Sequence, residues 1–138
     1  MKDILILSPD QIDDNIIHQV FNLIVLGDQV QKDGLMERIK NAEVIAMKII
    51  DSQLVCVASL KRPTVRYSMK VFKSANFENH IDYSRELGYI STHPDHRRRG
   101  YCLEVLNALS PYFSNVSTFA TTRKQEIVNL LSRFGFYL

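Results

Sequence analysis

The sequence predicts an α/β protein in which helices cover both faces of a sheet. Three stretches carry that expectation. Glu43 to Ile50 and Gln53 to Leu60 are apolar on both faces and are separated only by Asp51-Ser52, so they read as a buried hairpin. Glu86 to Leu109 passes from a short β-prone run, through a polar loop, into apolar residues at helical spacing. Near the end of the chain, Ile127, Leu130, Leu131 and Phe134 make a second helical stripe.

With 138 residues the chain is expected to be one domain with a real core. Hydrophobic residues at 46% and charged residues at 23% suit an ordinary soluble globular protein. A net charge of +2 is too small to argue for a nucleic-acid partner. The two cysteines, Cys56 and Cys102, fall in a strand-like run and a helix start, and read as small buried hydrophobes rather than a disulfide or a metal site. No signal peptide or apolar run of membrane length is evident, so the expected place is the cytoplasm, away from membranes.

The elements follow in order. Asp3 to Leu7 reads as a first strand. Ser8-Pro9-Asp10-Gln11 offers an N-cap, a proline at the first helical position and a Gln three residues after the cap. The helix it opens should run to about Leu23, with Ile12, Ile16, Val20 and Leu23 inward and Asp13, Asp14 and Asn15 on the wet side. His18 reads as a surface or packing residue. Gly27-Asp28 breaks the helix, and a shorter one carrying Leu35, Met36 and Ile39 ends near Asn41.

Lys61 to Arg85 is less legible. About two dozen residues between two strands exceed a simple hairpin loop, so an added element or a function is expected there. Its basic residues alternate with Tyr67, Phe72, Phe77 and Tyr83, and Thr64 can cap a short helix over Arg66 to Ser74. Two readings stand: a decorated loop with a solvated basic face, or a functional element, either a lid over the entrance to a site or a grip for an acidic or nucleic-acid partner. His80 within it has no visible ligand partner. Beyond the central stretch, Asn115 to Ala120 reads as a fifth strand, and Thr122-Arg123-Lys124-Gln125 as a capping box for the last helix, which Gly135 closes.

The central stretch holds the chemistry. Leu87 to Ser91 is the strand, and Pro94 ends its pairing. From Tyr101 the helix carries Cys102, Leu106, Leu109 and Phe113 inward, with Glu104, Asn107 and Pro111 outward. Between them lie Arg97, Arg98, Arg99 and Gly100. A loop entering a helix presents unpaired N–H groups and the positive end of the helix dipole, which suits a phosphate. The glycine lets a ligand approach the backbone, and the arginines add charge and forked donors.

This stretch resembles the acetyl-coenzyme A site of the GNAT superfamily of N-acetyltransferases, whose pyrophosphate loop reads Arg/Gln-x-x-Gly-x-Gly/Ala beyond a strand. Arg97, Gly100 and Cys102 occupy the three places, after His93-Pro94-Asp95-His96, with Cys102 departing from the usual Gly or Ala. Arg133-Phe134-Gly135-Phe136 resembles the Gly-Phe signature that closes the last helix in that superfamily. A Walker P-loop, the rival phosphate motif, is absent.

The resemblance implies a mixed, largely antiparallel central sheet flanked by helices, with acetyl-CoA as acyl donor and a primary amine of unidentified structure as acceptor. It implies cofactor contacts along Ile90, Ser91, Arg97, Arg98, Arg99, Gly100, Tyr101 and Cys102, with the N–H of Ile90 or Ser91 as oxyanion donor where the fourth strand splays from the fifth. Glu86 falls where a general base often sits, although it also reads as a sheet-edge carboxylate paired with Arg85 or Arg62. His93 reads as a loop-shaping residue or a proton relay. Leu131 stands where many relatives carry a tyrosine that protonates the leaving sulfur, and Tyr101, Tyr112 or Tyr137 are the candidate substitutes. These features leave two functions open, an N-acetyltransferase or a weak or inactive acetyl-CoA-binding module. Two further strands are usual after Phe136, and the sequence has room for barely one. Phe134, Phe136, Tyr137 and Leu138 would then form an apolar edge, which motivates an expected homodimer there.

Overall fold

The computed structural model describes residues 4–27, 31–77, 82–122 and 124–137. One sheet holds β1 (Ile4–Leu7), β2 (Val44–Ile50), β3 (Gln53–Lys61), β4 (Arg85–Thr92) and β5 (Thr118–Ala120), in chain order. The first four pair antiparallel, and β5 runs parallel to β4. The sheet is therefore mixed and largely antiparallel, as expected. Helices α1 (Asp14–Leu26) and α2 (Leu35–Lys40) cover one face. Helix α3 (Val65–Ser74) leads into β4, while α4 (Tyr101–Phe113) and α5 (Gln125–Ser132) cover the other face. None of the described helices is long and apolar enough to cross a membrane.

The double apolar character of the hairpin has a direct cause. Ile45, Met47 and Val57 pack under α1 and α2, while Ala46, Cys56 and Ala58 point the other way, under α4. Alternate residues thus serve alternate cores. The turn between the strands holds Asp51 at φ 50° and Ser52 at φ 65°, the positive pair that matches the twist of a two-residue hairpin.

Several boundaries differ from expectation, each for a local reason. Pro9–Gln11 forms a single 3-10 turn in which the Ser8 N–H donates to Gln11 Oε1 (3.3 Å). Ile12 then turns extended and drops into the core, and Asp13 caps α1 by accepting from the Ile16 N–H at 2.9 Å. Asp13 is a cap, not part of the wet helix face. Strand β5 begins only at Thr118, because the Val116 N–H still donates to Phe113 O (3.3 Å) at the end of α4. The capping box before α5 does not form. Thr122 Oγ1 accepts from the Lys124 N–H two residues on (3.1 Å), and Gln125 bonds Asn129 instead (2.9 Å). Asp3, Asp28, His80, Arg123 and Leu138, which figure in these expectations, lie outside the described residues.

Other local signals hold. Thr64 Oγ1 accepts from the Tyr67 N–H at 3.1 Å and opens α3. Pro111 inside α4 cannot donate to Asn107 O, and Ser110 Oγ donates there at 2.8 Å. Gly135 sits at φ 88°, and the Phe136 N–H returns to Leu131 O (3.3 Å), a left-handed closure of the last helix. That closure turns Phe134 and Phe136 onto Phe113, with ring centroids 6.1 and 5.7 Å away. The apolar cluster that motivated a two-fold partner is thus largely spent inside the chain, with Tyr137 left exposed.

Candidate active site

Strands β4 and β5 part after three residue pairs, Arg85–Thr118 to Leu87–Ala120. The cause lies on the other side of β4. Gly88 pairs with Ser59 and Ser91 with Val57, so Tyr89 and Ile90 together oppose Ala58. Tyr89 takes φ 52° to accommodate the extra residue. Such a bulge kinks its strand, and here it bends β4 away from β5. The His93 N–H donates to Val55 O at 2.8 Å, and ladder alternation counted back from that bond turns the Ser91 N–H to β3 and the Ile90 N–H to the gap.

The gap is a cleft. Gly88 to Ser91 form one wall, and Ala120 to Thr122, Lys124, Ile127 and Leu131 the other, with Lys61, Tyr67 and Glu86 at one end. Glu86 is only 2% exposed in the middle of the sheet. Lys61 Nζ lies 2.9 Å from Glu86 Oε1, and Tyr67 Oη donates to Oε2 at 3.0 Å. Thr121 Oγ1 adds a longer bond at 3.4 Å. The expected pairing with an arginine is replaced, since Arg85 goes to Glu43. Nor is Glu86 at a sheet edge, because β4 is flanked on both sides. Burial, reinforced by the Glu86 charge, pushes the Tyr67 phenol up to about 12.

Helix α3 is what brings Tyr67 there. Its Phe72 packs against Phe119 of β5 and Tyr83, with centroids 5.1 and 5.3 Å away. Through Tyr67 and Phe72, helix α3 thus packs over that end of the cleft, while most of its other residues face solvent. Lys61 completes that end. Its ammonium lies 4.1 Å from the centroid of Tyr89 and 5.6 Å from that of Tyr67. Its stem crosses Gly88, where a Cβ would fall 2.8 Å from Lys61 Cδ.

The arginine loop lies at the far end of β4. His93 shapes it, its Nδ1 accepting from the Asp95 N–H (3.1 Å) to cap the 3-10 turn Pro94–His96. Arg97 folds back, Nε donating to Thr92 O at 3.3 Å, while Arg98 and Arg99 are exposed. Gly100 takes φ 77° as the residue before α4, and a Cβ built there would meet nothing within 4 Å. Tyr101 receives the Lys48 ammonium over its ring (5.1 Å), and Lys48 also pairs with Glu104 (3.0 Å). Cys102 faces Cys56, and both are free thiols. Their mutual interaction pushes the Cys102 thiol up and Cys56 down, and Cys56 Sγ also lies 3.3 Å from Thr92 Oγ1.

Leu131 does line the cleft where a tyrosine was expected to be missing. Tyr112 and Tyr137 are exposed elsewhere, and Tyr101 belongs to the loop end. The tyrosines at the cleft are Tyr67 and Tyr89, and the sequence assigns no role at a site to either of them or to Lys61. The Thr64 cap, three residues before Tyr67, was the one local signal for any of them.

No family model matches the chain, and no curated relative does. Solved structures do. An acyl-CoA N-acyltransferase from Pseudomonas aeruginosa is similar over 97% of this chain and 87% of its own, at 14% identity and a TM-score of 0.68. A GNAT-family acetyltransferase from Streptococcus pneumoniae matches over 98% and 86%, at 14% identity and a TM-score of 0.65. A ribosomal-protein-alanine N-acetyltransferase from Brucella melitensis matches over 99% and 92%, at 15% identity and a TM-score of 0.60. Identities this low speak to architecture, and with the bulged fourth strand, the cleft and the closing Gly-Phe turn they agree on one: this chain has the fold of the GNAT acetyltransferases.

Proposed function

We propose that the chain is an acetyl-CoA-dependent N-acetyltransferase that acts on a primary amine. The observation that carries this reading is the bulge-opened cleft, which has the buried Glu86 carboxylate at one end and the Gly88 to Ser91 backbone along one wall. An alkylammonium ion titrates near about 10.4, so near neutral pH the acceptor needs a base to take its proton. Glu86 fills that role. The neutral nitrogen attacks the thioester carbonyl, and the developing oxyanion accepts from the Ile90 N–H. The C–S bond then breaks, and a thiolate leaves. A thiol titrates near about 8.5, so departure does not demand a proton donor, and Leu131 in the usual tyrosine place slows the step without forbidding it.

The arginine loop fits the pyrophosphate of the donor. The first turn of α4 carries unpaired N–H groups at Tyr101 and Cys102, and the space beside Gly100 is open. Arg98 and Arg99 supply charge, while Arg97 ties the loop to β4. Ser91 supports the wall, because its hydroxyl donates to Leu23 O at 3.1 Å.

A second reading, a weak or inactive acetyl-CoA-binding module, draws on two observations. Leu131 offers no proton, and Lys61 already engages Glu86. Calorimetry with acetyl-CoA, followed by thiol release over a panel of amines, separates the two. Binding with turnover supports the enzyme. Binding without turnover leaves the module, and no binding overturns both.

A further inference from the structure

Lys61 is the feature of the cleft that the proposed reaction leaves unused. Four observations show that its position is built rather than incidental. It stands directly opposite Glu86 in the β3–β4 ladder. Its ammonium is 2.9 Å from the Glu86 carboxylate. Two aromatic rings, Tyr89 and Tyr67, face that ammonium. Finally, Gly88 omits the side chain that would collide with its stem. Carboxylate and ring faces together form a cage that suits a primary ammonium. The cage opens on the same cleft as the bulge.

We infer that Lys61 is itself an acceptor: the chain acetylates its own Lys61 Nζ from bound acetyl-CoA. The inference rests on the acyl-transfer reading above. The ammonium already sits in contact with the group assigned as base, so no second molecule has to be positioned. The balance is simple. Nζ gives up two protons: the ammonium passes one to Glu86, the freed lone pair forms the bond to the thioester carbon, and the adduct nitrogen sheds the second to solvent as the C–S bond breaks. The thiolate takes the proton held by Glu86, leaving free coenzyme A, one proton released to solvent, and a neutral amide on Lys61. That amide keeps one N–H, which can still donate to Glu86. The Lys61 side chain is 20% exposed and lines the cleft.

The full chain is incubated with isotopically labelled acetyl-CoA and followed by intact mass and peptide mapping. The expected result is one acetyl group on Lys61, at a rate about 10²-fold or more above that of the exposed Lys70 and Lys73, the range a positioned base supplies. The rate constant should not depend on protein concentration, as an intramolecular step requires. Lys61→Arg should abolish the label, and Glu86→Gln should drop it to the surface-lysine rate. Labelling of Lys61 no faster than of Lys70 and Lys73 overturns the inference, as does a rate that rises with protein concentration. Turnover on a free amine with Lys61 unlabelled overturns it while leaving the acetyltransferase reading intact. Failure to bind acetyl-CoA overturns both.

Discussion

Replacing Glu86 by Gln keeps the shape of the side chain and removes its charge. The carboxylate is 2% exposed and meets an ammonium at 2.9 Å and a phenol at 3.0 Å. Gln can keep the Tyr67 bond through its carbonyl oxygen, but its amide then turns donors toward the Lys61 ammonium. Breaking a fully buried pair costs about 3–5 kcal/mol. Here the surviving charge is 20% exposed at Lys61 and lies over two rings, so the cost should fall to about 1–3 kcal/mol. For a chain of 138 residues that lowers the melting temperature by about 3–10 °C. Lys61→Met should cost less in the Glu86→Gln background than alone, because the pair is already broken.

The kinetic consequence is separate. Loss of a general base should lower turnover by about 10²–10⁴ near neutral pH, with acetyl-CoA affinity little changed. The deficit should shrink as pH approaches the amine's own value of about 10.4, where free nitrogen no longer needs a base. Circular-dichroism melts measure the first effect, and initial rates across a pH series measure the second. A Gln variant that melts with the parent and keeps its pH–rate profile would refute the argument at both points.

The remaining predictions are shorter. Gly100→Val imposes a β-branched side chain at φ 77° with no protein atom in its way, so stability should fall by only about 1–2 kcal/mol. Any larger loss of acetyl-CoA affinity than in Arg98→Ala, read by calorimetry, then reports a ligand at the backbone of that loop. The Tyr67 phenol is raised from 10.0 to about 12, so the folded chain holds a proton that the unfolded chain releases. Its contribution is fully present below about pH 10 and is lost as pH rises toward about 12, so Tyr67→Phe should flatten the fall in urea midpoint over that window. Leu109 is fully buried between α4 and the sheet, and Leu109→Ala should cost about 2–5 kcal/mol in a denaturant titration.

The contrast between the legible and illegible parts of this chain follows the range of the interactions. Helical stripes, the Asp51-Ser52 turn, the Thr64 cap and the Gly135 closure are decided within a few residues, and each is where local chemistry puts it. The misplaced boundaries are local too, but they are contests between short-range bonds of similar strength. Asp13 takes the cap from Ser8 because Ile12 gains more by entering the core than by continuing a helix. Thr122 bonds two residues ahead rather than three.

The site divides along the same line. Glu86, Ile90 and the arginine loop are expected from the resemblance carried by one continuous stretch, in which a strand, a polar loop and a helix start lie in sequence. Lys61 and Tyr67 are not, since what matters about them is register and packing. Lys61 meets Glu86 only because β3 and β4 pair in one of several possible registers, and the bulge at Tyr89 sets the side chain on each side of it. Tyr67 meets the same carboxylate only because Phe72, one and a half turns later on α3, finds Phe119. A one-residue slip of β3 against β4 would leave the buried Glu86 without its cation, and a slip of α3 would take away its Tyr67 donor. The carboxylate that the proposed chemistry needs is therefore also the residue that selects the register, which is why its partners had to come from the least legible segment of the chain.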